Sequence, residues 1–148
     1  MKHIAAFLFA CLITLGVCAQ EKTQFTPDHF RATFDKMMPM SFPTRILDSG
    51  YYLEVDGDNA YVHLPYMGEV HTSFGIGSGV QFDETVKNLK VTQNKKGTQT
   101  QVTFYLGEGA GKCAFELTVF KGDAVDLEIR PQNAQPCSYV GTLDTASE

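Results

Sequence analysis

The chain has 148 residues, of which 12 are basic and 17 acidic, and its net charge is −5. A hydrophobic fraction of 43% and a charged fraction of 20% exclude a disordered chain and a coiled coil. The acidic balance argues against binding to nucleic acid or to anionic lipid heads, and the length suits one domain with one core.

The N-terminal residues predict a secretion signal. A short positively charged start precedes residues 4–17, which are apolar with a single polar interruption. This run is shorter than the roughly 20 residues of a membrane-spanning helix, and it suits the apolar region of a signal peptide. Val17 and Ala19 are short side chains before a cut after residue 19. We therefore expect residues 1–19 to be removed, and a periplasmic or secreted protein that begins at Gln20.

Cys18 raises an alternative for the same segment. A lipoprotein signal has a cysteine directly after a small residue, and Leu15 fits that pattern, whereas Val17 is larger than the usual Gly, Ala or Ser. Lipid anchoring through Cys18 is therefore the alternative location. It would add a membrane tether without changing the fold.

Residues 20–28 form a lead, and residues 27–38 fit both a helix and a strand. A helix would align Phe30 and Phe34 with the methionines that follow them. A strand would place the same phenylalanines on one face, alternating with polar residues. Periodicity leaves the choice open, and Pro39 ends any long helix.

From residue 50 onward, apolar and polar residues alternate and turn residues recur about every 8–12 positions, as in all-β proteins. Three hairpins bring apolar residues to one face of the sheet. The predicted pairs are Leu53 with Val62, Leu89 with Phe104, Val91 with Val102, Phe104 with Phe115, and Leu117 with Leu127. One continuous apolar face would then run through the four strands between residues 89 and 130. A slip of one residue in any hairpin would turn its apolar side chains to solvent, so the agreement of the three registers supports this face.

The last strand is predicted at residues 137–143, followed by a frayed tail at 144–148. The fold class is therefore all-β, a mostly antiparallel meander of about eight or nine strands over residues 29–143. The expected architecture is a closed or nearly closed β-barrel with almost no helix.

Several motifs together resemble one protein family. Residues 49–55 (SGYYLEV), the turn at 57–58 and residues 64–68 (LPYMG) resemble the domain of unknown function family 4251, which comprises secreted or envelope-associated proteins of Gram-negative bacteria. Further matches follow in the family's order at residues 79–82 (GVQF), 94–97 (NKKG), 117–120 (LTVF) and 133–141 (NAQPCSYVG).

The resemblance covers about residues 29–143. It implies a fold similar to a lipocalin-like β-barrel and a strand rather than a helix at residues 29–35. It implies no activity, because none is assigned to the family. The chain departs from the family pattern at Ala134, where an arginine is usual, and at Cys137, where an aliphatic residue is usual.

Residues 65–79 form a glycine-rich stretch with large apolar side chains. Such a loop at a barrel mouth suits a ligand portal, for which the candidate ligand-binding residues are Tyr66, Met67, Phe74 and Ile76. The alternative is that these side chains plug the barrel end as part of the core.

Cys113 and Cys137 are the two cysteines of the expected mature chain. They are predicted on alternate strands, which lie about 9–10 Å apart. A disulfide requires the two Cα atoms to lie within roughly 7 Å of each other. We therefore expect two free, mostly buried thiols and favour no disulfide, with this pair as the sole candidate. No metal site and no cofactor is expected, since the histidines and cysteines lack ligand spacing.

No nucleophile lies near a base in any predicted pairing, so an enzyme is not expected. The leading hypothesis is a non-enzymatic module that binds a small apolar or amphipathic ligand inside the barrel. The alternative is an envelope structural or interaction protein with a packed core and an envelope partner. In either case we expect no nucleic-acid partner and no transmembrane segment in the mature chain.

Overall fold

Ten strands account for nearly all the regular structure in residues 25–71 and 79–144, which the computed structural model describes. A short 3-10 turn, Gly109–Gly111, lies between two of them. The strands are β1 (His29–Pro39), β2 (Arg45–Ile46), β3 (Tyr52–Asp56), β4 (Asn59–Leu64), β5 (Val80–Thr85), β6 (Lys87–Gln93), β7 (Gln99–Leu106), β8 (Cys113–Phe120), β9 (Ala124–Pro131) and β10 (Cys137–Leu143). The predicted signal, its cleavage site and Cys18 lie outside the described residues.

The strands form one antiparallel sheet in the order β5-β4-β3-β1-β10-β9-β8-β7-β6, and β2 pairs with β1. The two ends of this order, β5 and β6, are consecutive in the chain and are separated by Val86 alone. The first part of this bent segment pairs with β4, and the second part pairs with β7. The sheet thereby curls into a nearly closed barrel, which confirms the predicted fold class.

The segment that fitted both patterns is a strand. β1 pairs with β3 through residues 29–33 and with β10 through residues 32–39. Its register shifts at Asp35, and Gly141 lies opposite Phe34 beside this bulge. Asp144, expected in a frayed tail, instead donates its backbone N–H to the carbonyl of Arg31 at 2.8 Å. The residues after it lie outside the described part.

The hairpin registers agree with the predicted ones at Leu53–Val62, Val91–Val102, Phe104–Phe115 and Leu117–Leu127. The predicted one-to-one pairing of Leu89 with Phe104 is replaced by a register shift, in which Leu89 and Asn88 share the position opposite Phe104. Lys87 pairs with Tyr105 and Lys90 with Thr103, so two residues of β6 oppose Phe104 in a β-bulge.

The predicted apolar face also stops one strand earlier than expected. Val91 and Leu89 of β6 are exposed, whereas their neighbours on β7 are buried. β6 pairs only with β7 among the described strands, and it continues beyond Asn59, the first residue of β4. The alternation in β6 is that of an edge strand whose apolar side chains lack a covering layer.

The core fills the inner face of the barrel with alternating residues from β1, β3, β4 and β7 to β10. Phe104 and Phe115 stack with ring centroids 5.1 Å apart, and the ring of Phe34 meets Tyr139 edge-on at 6.0 Å. Tyr139 is fully buried, and its hydroxyl donates to the carbonyl oxygen of Pro65 at 2.6 Å. Among the described residues no buried side-chain polar atom lacks a hydrogen-bond partner.

Candidate functional site

Residues 65–71 cross one end of the barrel and are hydrogen-bonded to the loop between β9 and β10. The backbone N–H of Gln135 donates to the carbonyl of Glu69 at 3.0 Å, and the N–H of His71 donates to the carbonyl of Asn133 at 2.8 Å. Val70 and Ala134 form an isolated β-bridge between these bonds. This part of the predicted portal is therefore tied down along its length.

Tyr66 and Met67, two of the predicted portal residues, are half-buried and pack against the core. The Tyr66 hydroxyl donates to the carbonyl of Gln135 at 2.7 Å. Burial raises the pKa of Tyr66 to about 12, and the nearby cysteine thiols add to the shift. Both side chains therefore pack against the core at this end of the barrel. Phe74 and Ile76, the other two portal residues, lie outside the described residues.

A cleft of about 370 Å³ opens at the same barrel end, where β5 diverges from β7. Ten residues line it: Gly79, Val80, Gln81, Phe82, Glu84, Gly107, Glu108, Gly111, Cys113 and Pro131. The gap exists because β5 is hydrogen-bonded to β4 along one edge, and its other edge pairs with no described strand. After β7, which faces that free edge, the chain turns away into the 3-10 turn. Neither Tyr66 nor Met67 lines this cleft.

Gly107 shapes one side of the cleft. Its φ of +75° is in the left-handed region, which a residue with a side chain rarely adopts. A Cβ at this position would also collide with the carbonyl oxygen of Gly111 and approach the ring of Phe82 at 3.2 Å. The N–H of Gly107 donates to the Glu84 carboxylate at 2.8 Å, and this bond ties β5 to the end of β7.

The cleft combines an apolar wall with an acidic rim. The Phe82 ring meets Phe115 edge-on with centroids 5.8 Å apart, so it connects the cleft to the core. At the rim, the Glu108 carboxylate accepts a hydrogen bond from the Lys87 ammonium at 2.7 Å. This bond and the positive charge of Lys87 lower the pKa of Glu108.

Cys113 and Cys137 are both free and buried. Cys113 pairs with Pro131 and Cys137 with Ile129, so strand β9 separates the two thiols. Burial raises the pKa of Cys113 to about 12, and it also raises the pKa of Cys137. Both groups are therefore neutral thiols at neutral pH, and a neutral thiol is a poor nucleophile and a poor metal ligand.

The described histidines make local contacts. His29 lies 3.0 Å from the Asp56 carboxylate on the surface, and His63 stacks on Tyr51 with centroids 5.5 Å apart. In residues 25–71 and 79–144, no group of three or more His, Cys, Asp or Glu side chains is placed to hold a metal ion. Within the same ranges, no helix has the length and apolarity needed to cross a membrane.

Sequence reasoning did not find the cleft, since none of its residues is among the predicted portal residues. The cleft forms where β5 and β7 diverge, and this divergence cannot be predicted from a local sequence pattern. Three glycines, at positions 79, 107 and 111, line it, and two of them have positive φ. Isolated glycines next to strands often mark places where a backbone or a ligand approaches closely, and these glycines were the sequence feature that could have indicated the cleft.

A family model described as a domain of unknown function, DUF4251, matches residues 20–143. The chain therefore belongs to the DUF4251 family, whose shared fold here is a nearly closed antiparallel barrel. The crystal structure of a DUF4251 family protein from Bacteroides eggerthii DSM 20697 is similar, with a TM-score of 0.62, 21% identity and 79% of each chain covered. At this identity the similarity concerns the fold. No curated protein matches the chain.

Proposed function

We propose that the protein is a non-enzymatic binding module that holds a small apolar or amphipathic molecule in the cleft between β5 and the β7–β8 connection. The observation that carries this proposal is the cleft itself, whose volume of about 370 Å³ is within the range of small-molecule sites, about 300–1,000 Å³. The proposal moves the ligand from the barrel interior, where aromatic side chains occupy the space, to the opening in its wall.

The lining suggests the chemistry of the ligand. Val80, Phe82 and Pro131 offer apolar surface for an alkyl or ring portion. Glu84 and Glu108 place carboxylates at the rim, and Glu84 has no ion-pair partner among the described residues. A polar end that is cationic or donates hydrogen bonds suits this rim better than an anionic one.

We also propose that the protein acts outside the cytoplasm, after cleavage following Ala19. The support is the apolar segment at residues 4–17 and its short side chains before the cut. N-terminal sequencing of protein from the exported fraction is expected to begin at Gln20. A lipid-modified N-terminus at Cys18 would instead establish the anchored form.

Binding is tested with three probes that share a ten-carbon chain: decylamine, decanol and decanoate. We expect decylamine to raise the melting temperature most and decanoate least, because the rim is acidic. Phe82→Ala removes one apolar wall and is expected to weaken decylamine binding about tenfold, equivalent to about 1.4 kcal/mol. Leu89→Ala is the matched control, because Leu89 is exposed on β6 and does not line the cleft.

Native mass spectrometry of protein purified from its own host supplies an independent readout. A bound small molecule that is lost in Phe82→Ala supports the proposal. A ligand-free mass combined with no thermal shift from any of the three probes contradicts it.

The second candidate is an envelope interaction protein with a packed core. One observation favours it: the stacked Phe104–Phe115 pair and the fully buried Tyr139 occupy the barrel interior, where a lipocalin-like carrier would place its ligand. This function would use an outer surface and would leave the cleft empty in protein purified from the host.

A further inference from the structure

One edge of β5 borders the cleft and has no partner strand. β5 pairs with β4 along its other edge, from Val80 to Thr85, and this register contains no bulge. Among the described strands, none is hydrogen-bonded to the second edge of β5. Four of the six residues of β5 line the cleft. The open edge and the cleft therefore belong to the same opening in the barrel wall.

The hydrogen-bond pattern shows which backbone groups the open edge presents. The N–H of Val86 donates to the carbonyl of Asp58 at 2.8 Å, in continuation of the β4–β5 register. In an antiparallel pair, residues that exchange hydrogen bonds alternate with residues that do not. Gln81 and Asp83 are in the second set, so each directs its N–H and its carbonyl away from β4. Within residues 25–71 and 79–144, these backbone groups have no hydrogen-bond partner.

β5 lacks most of the features that protect an open edge. Edge strands are commonly guarded by lysine, proline, bulges or inward-pointing charges. β6, whose outer edge is also open in the described part of the chain, has two lysines and a bulge. β5 has no lysine, proline or bulge, and its inward-facing Glu84 is engaged by the N–H of Gly107. Addition of a further strand is therefore hindered at β6 and permitted at β5.

The spacing of the open backbone groups matches an extended peptide. Residues two apart in a strand are separated by about 6.8 Å, and an extended peptide repeats its own donors and acceptors at the same interval. An amine or an alcohol has one polar end and bonds at one position of this edge. A peptide residue opposite Gln81 both donates to its carbonyl and accepts from its N–H, and the next residue but one reaches Asp83.

The lining adds a pattern of side chains. Side chains on a strand alternate between the two faces of the sheet. When one peptide residue lies opposite Gln81, its two neighbours lie opposite Val80 and Phe82 and point to the same face as these. Val80 is buried, and the ring of Phe82 meets Phe115 edge-on with centroids 5.8 Å apart. The cleft therefore suits a polar residue between two apolar ones.

We propose that the ligand of the cleft is a short extended peptide that adds to the open edge of β5 as an antiparallel strand. Its central residue exchanges two backbone hydrogen bonds with Gln81, and the apolar side chains on both sides contact Val80 and Phe82. In strand addition, backbone bonds supply affinity and pockets for alternate side chains supply specificity. The inference rests on the proposed function, because it names the class of molecule that the same cleft binds.

The first test uses a capped tripeptide, acetyl-leucyl-seryl-leucinamide, in an amide NMR titration of the parent protein. The backbone N–H signal of Gln81 is expected to shift on binding. A methyl group on the serine nitrogen removes the donor to the carbonyl of Gln81 and is expected to weaken binding at least about fivefold. The control peptide carries the methyl group on the first leucine nitrogen, which points away from β5, and is expected to lose less.

The second test changes the same contact from the side of the protein. Gln81→Pro removes an N–H that faces away from β4, so the pairing of β5 with β4 keeps its hydrogen bonds. This variant is expected to bind the tripeptide at least about fivefold more weakly than the parent. Gln81→Ala removes the same side chain and keeps the N–H, so the difference between the two variants measures the backbone contact.

The matched control is Gln93→Pro on β6. The N–H of Asn94 donates to the carbonyl of Gln99 at 3.1 Å, so the preceding residue, Gln93, directs its own N–H to the open edge of β6. Gln93 does not line the cleft, and this variant is expected to bind the tripeptide like the parent. Circular dichroism and gel filtration establish that each variant is folded. If Gln81→Pro does not fold, the two methylated peptides decide alone.

Decylamine separates failure of this inference from failure of the proposed function. Binding of decylamine without binding of the tripeptide overturns the peptide assignment and leaves the cleft as a site for amphiphiles. Equal binding of the two methylated peptides also overturns it, as does a folded Gln81→Pro that binds as well as Gln81→Ala. If neither decylamine nor the tripeptide binds, both proposals fail.

Discussion

Gly141 on β10 permits the close approach of β1 at the bulge around Asp35. A Cβ on Gly141 would collide with the backbone carbonyl of Thr33 and lie 2.9 Å from the Cα of Phe34. Both obstacles are backbone atoms in the middle of the sheet, so neither can move by a change of rotamer.

We therefore predict that Gly141→Ala lowers the free energy of unfolding by about 1–3 kcal/mol, the usual cost of overpacking. Urea denaturation followed by circular dichroism measures the change. Thr142→Ala, at the next and exposed position, is the control and is expected to change stability by less than about 0.5 kcal/mol. Equal stability of Gly141→Ala and the parent protein would contradict the close approach.

The two buried thiols are expected to resist alkylation in the folded protein. Their burial and raised pKa values leave little thiolate and little access. In a chain that begins at Gln20, iodoacetamide at pH 8 should add no label to the native protein and two labels after unfolding in guanidinium chloride. Intact mass measures both. A mass increase of two hydrogens on reduction would instead reveal a disulfide.

The raised thiol pKa values also predict a dependence of stability on pH. A folded pKa of about 12 for Cys113, against 9.0 for the exposed thiol, means that the folded state retains a proton that the unfolded state releases between these values. The contribution of this thiol to the free energy of unfolding is therefore fully present below about pH 9. It decreases as the pH rises toward 12, by at most about 1.4 kcal/mol per pH unit. Urea denaturation at pH 7.5, 9 and 10.5 measures this slope. Cys113→Ala should reduce it, and an identical slope would contradict the assignment.

At the scale of elements, β6 shows what alternation can and cannot predict. The pairing of Val91 with Val102 follows from the turn at Lys96 and Gly97, and the structure confirms it. The exposure of Val91 depends on whether another layer covers β6, and that is decided by where β4 begins, at Asn59. Periodicity indicates which residues share a face, but the coverage of that face is a tertiary property.

The bulge in β6 rests on the backbone of Asn88, whose φ of +54° is the one positive value among the described non-glycine residues. Asparagine tolerates this conformation, whereas a β-branched residue is strained by about 1–2 kcal/mol. We expect Asn88→Val to be less stable than the parent by about that amount, and Asn88→Gly to be as stable or more stable. Thermal unfolding compares them. A valine variant that matches the parent would show that the bulge does not require this conformation.

For the whole molecule, the barrel was predictable because hairpins are local. Each turn sets the register of its two strands, and the agreement of several registers on one apolar face defines a curled sheet. β1 was ambiguous because it belongs to no hairpin with its main partners, β3 and β10. The cleft was not predictable, because it lies between Val80 and Phe82 on one strand and Gly107 and Cys113 beyond another, residues that only the closure of the sheet brings together.

The position of β1 between β3 and β10 has a consequence for the order in which the protein folds. Ala32 of β1 pairs with Leu143 of β10, so the strand made first is completed by the strand made last. While the chain is being synthesised, one edge of β1 has no partner, and the sheet cannot curl until the C-terminal residues are available. Contacts of such sequence separation slow folding. A chain with this topology therefore leaves one edge of β1 free to pair with other strands until residues 137–143 have been made.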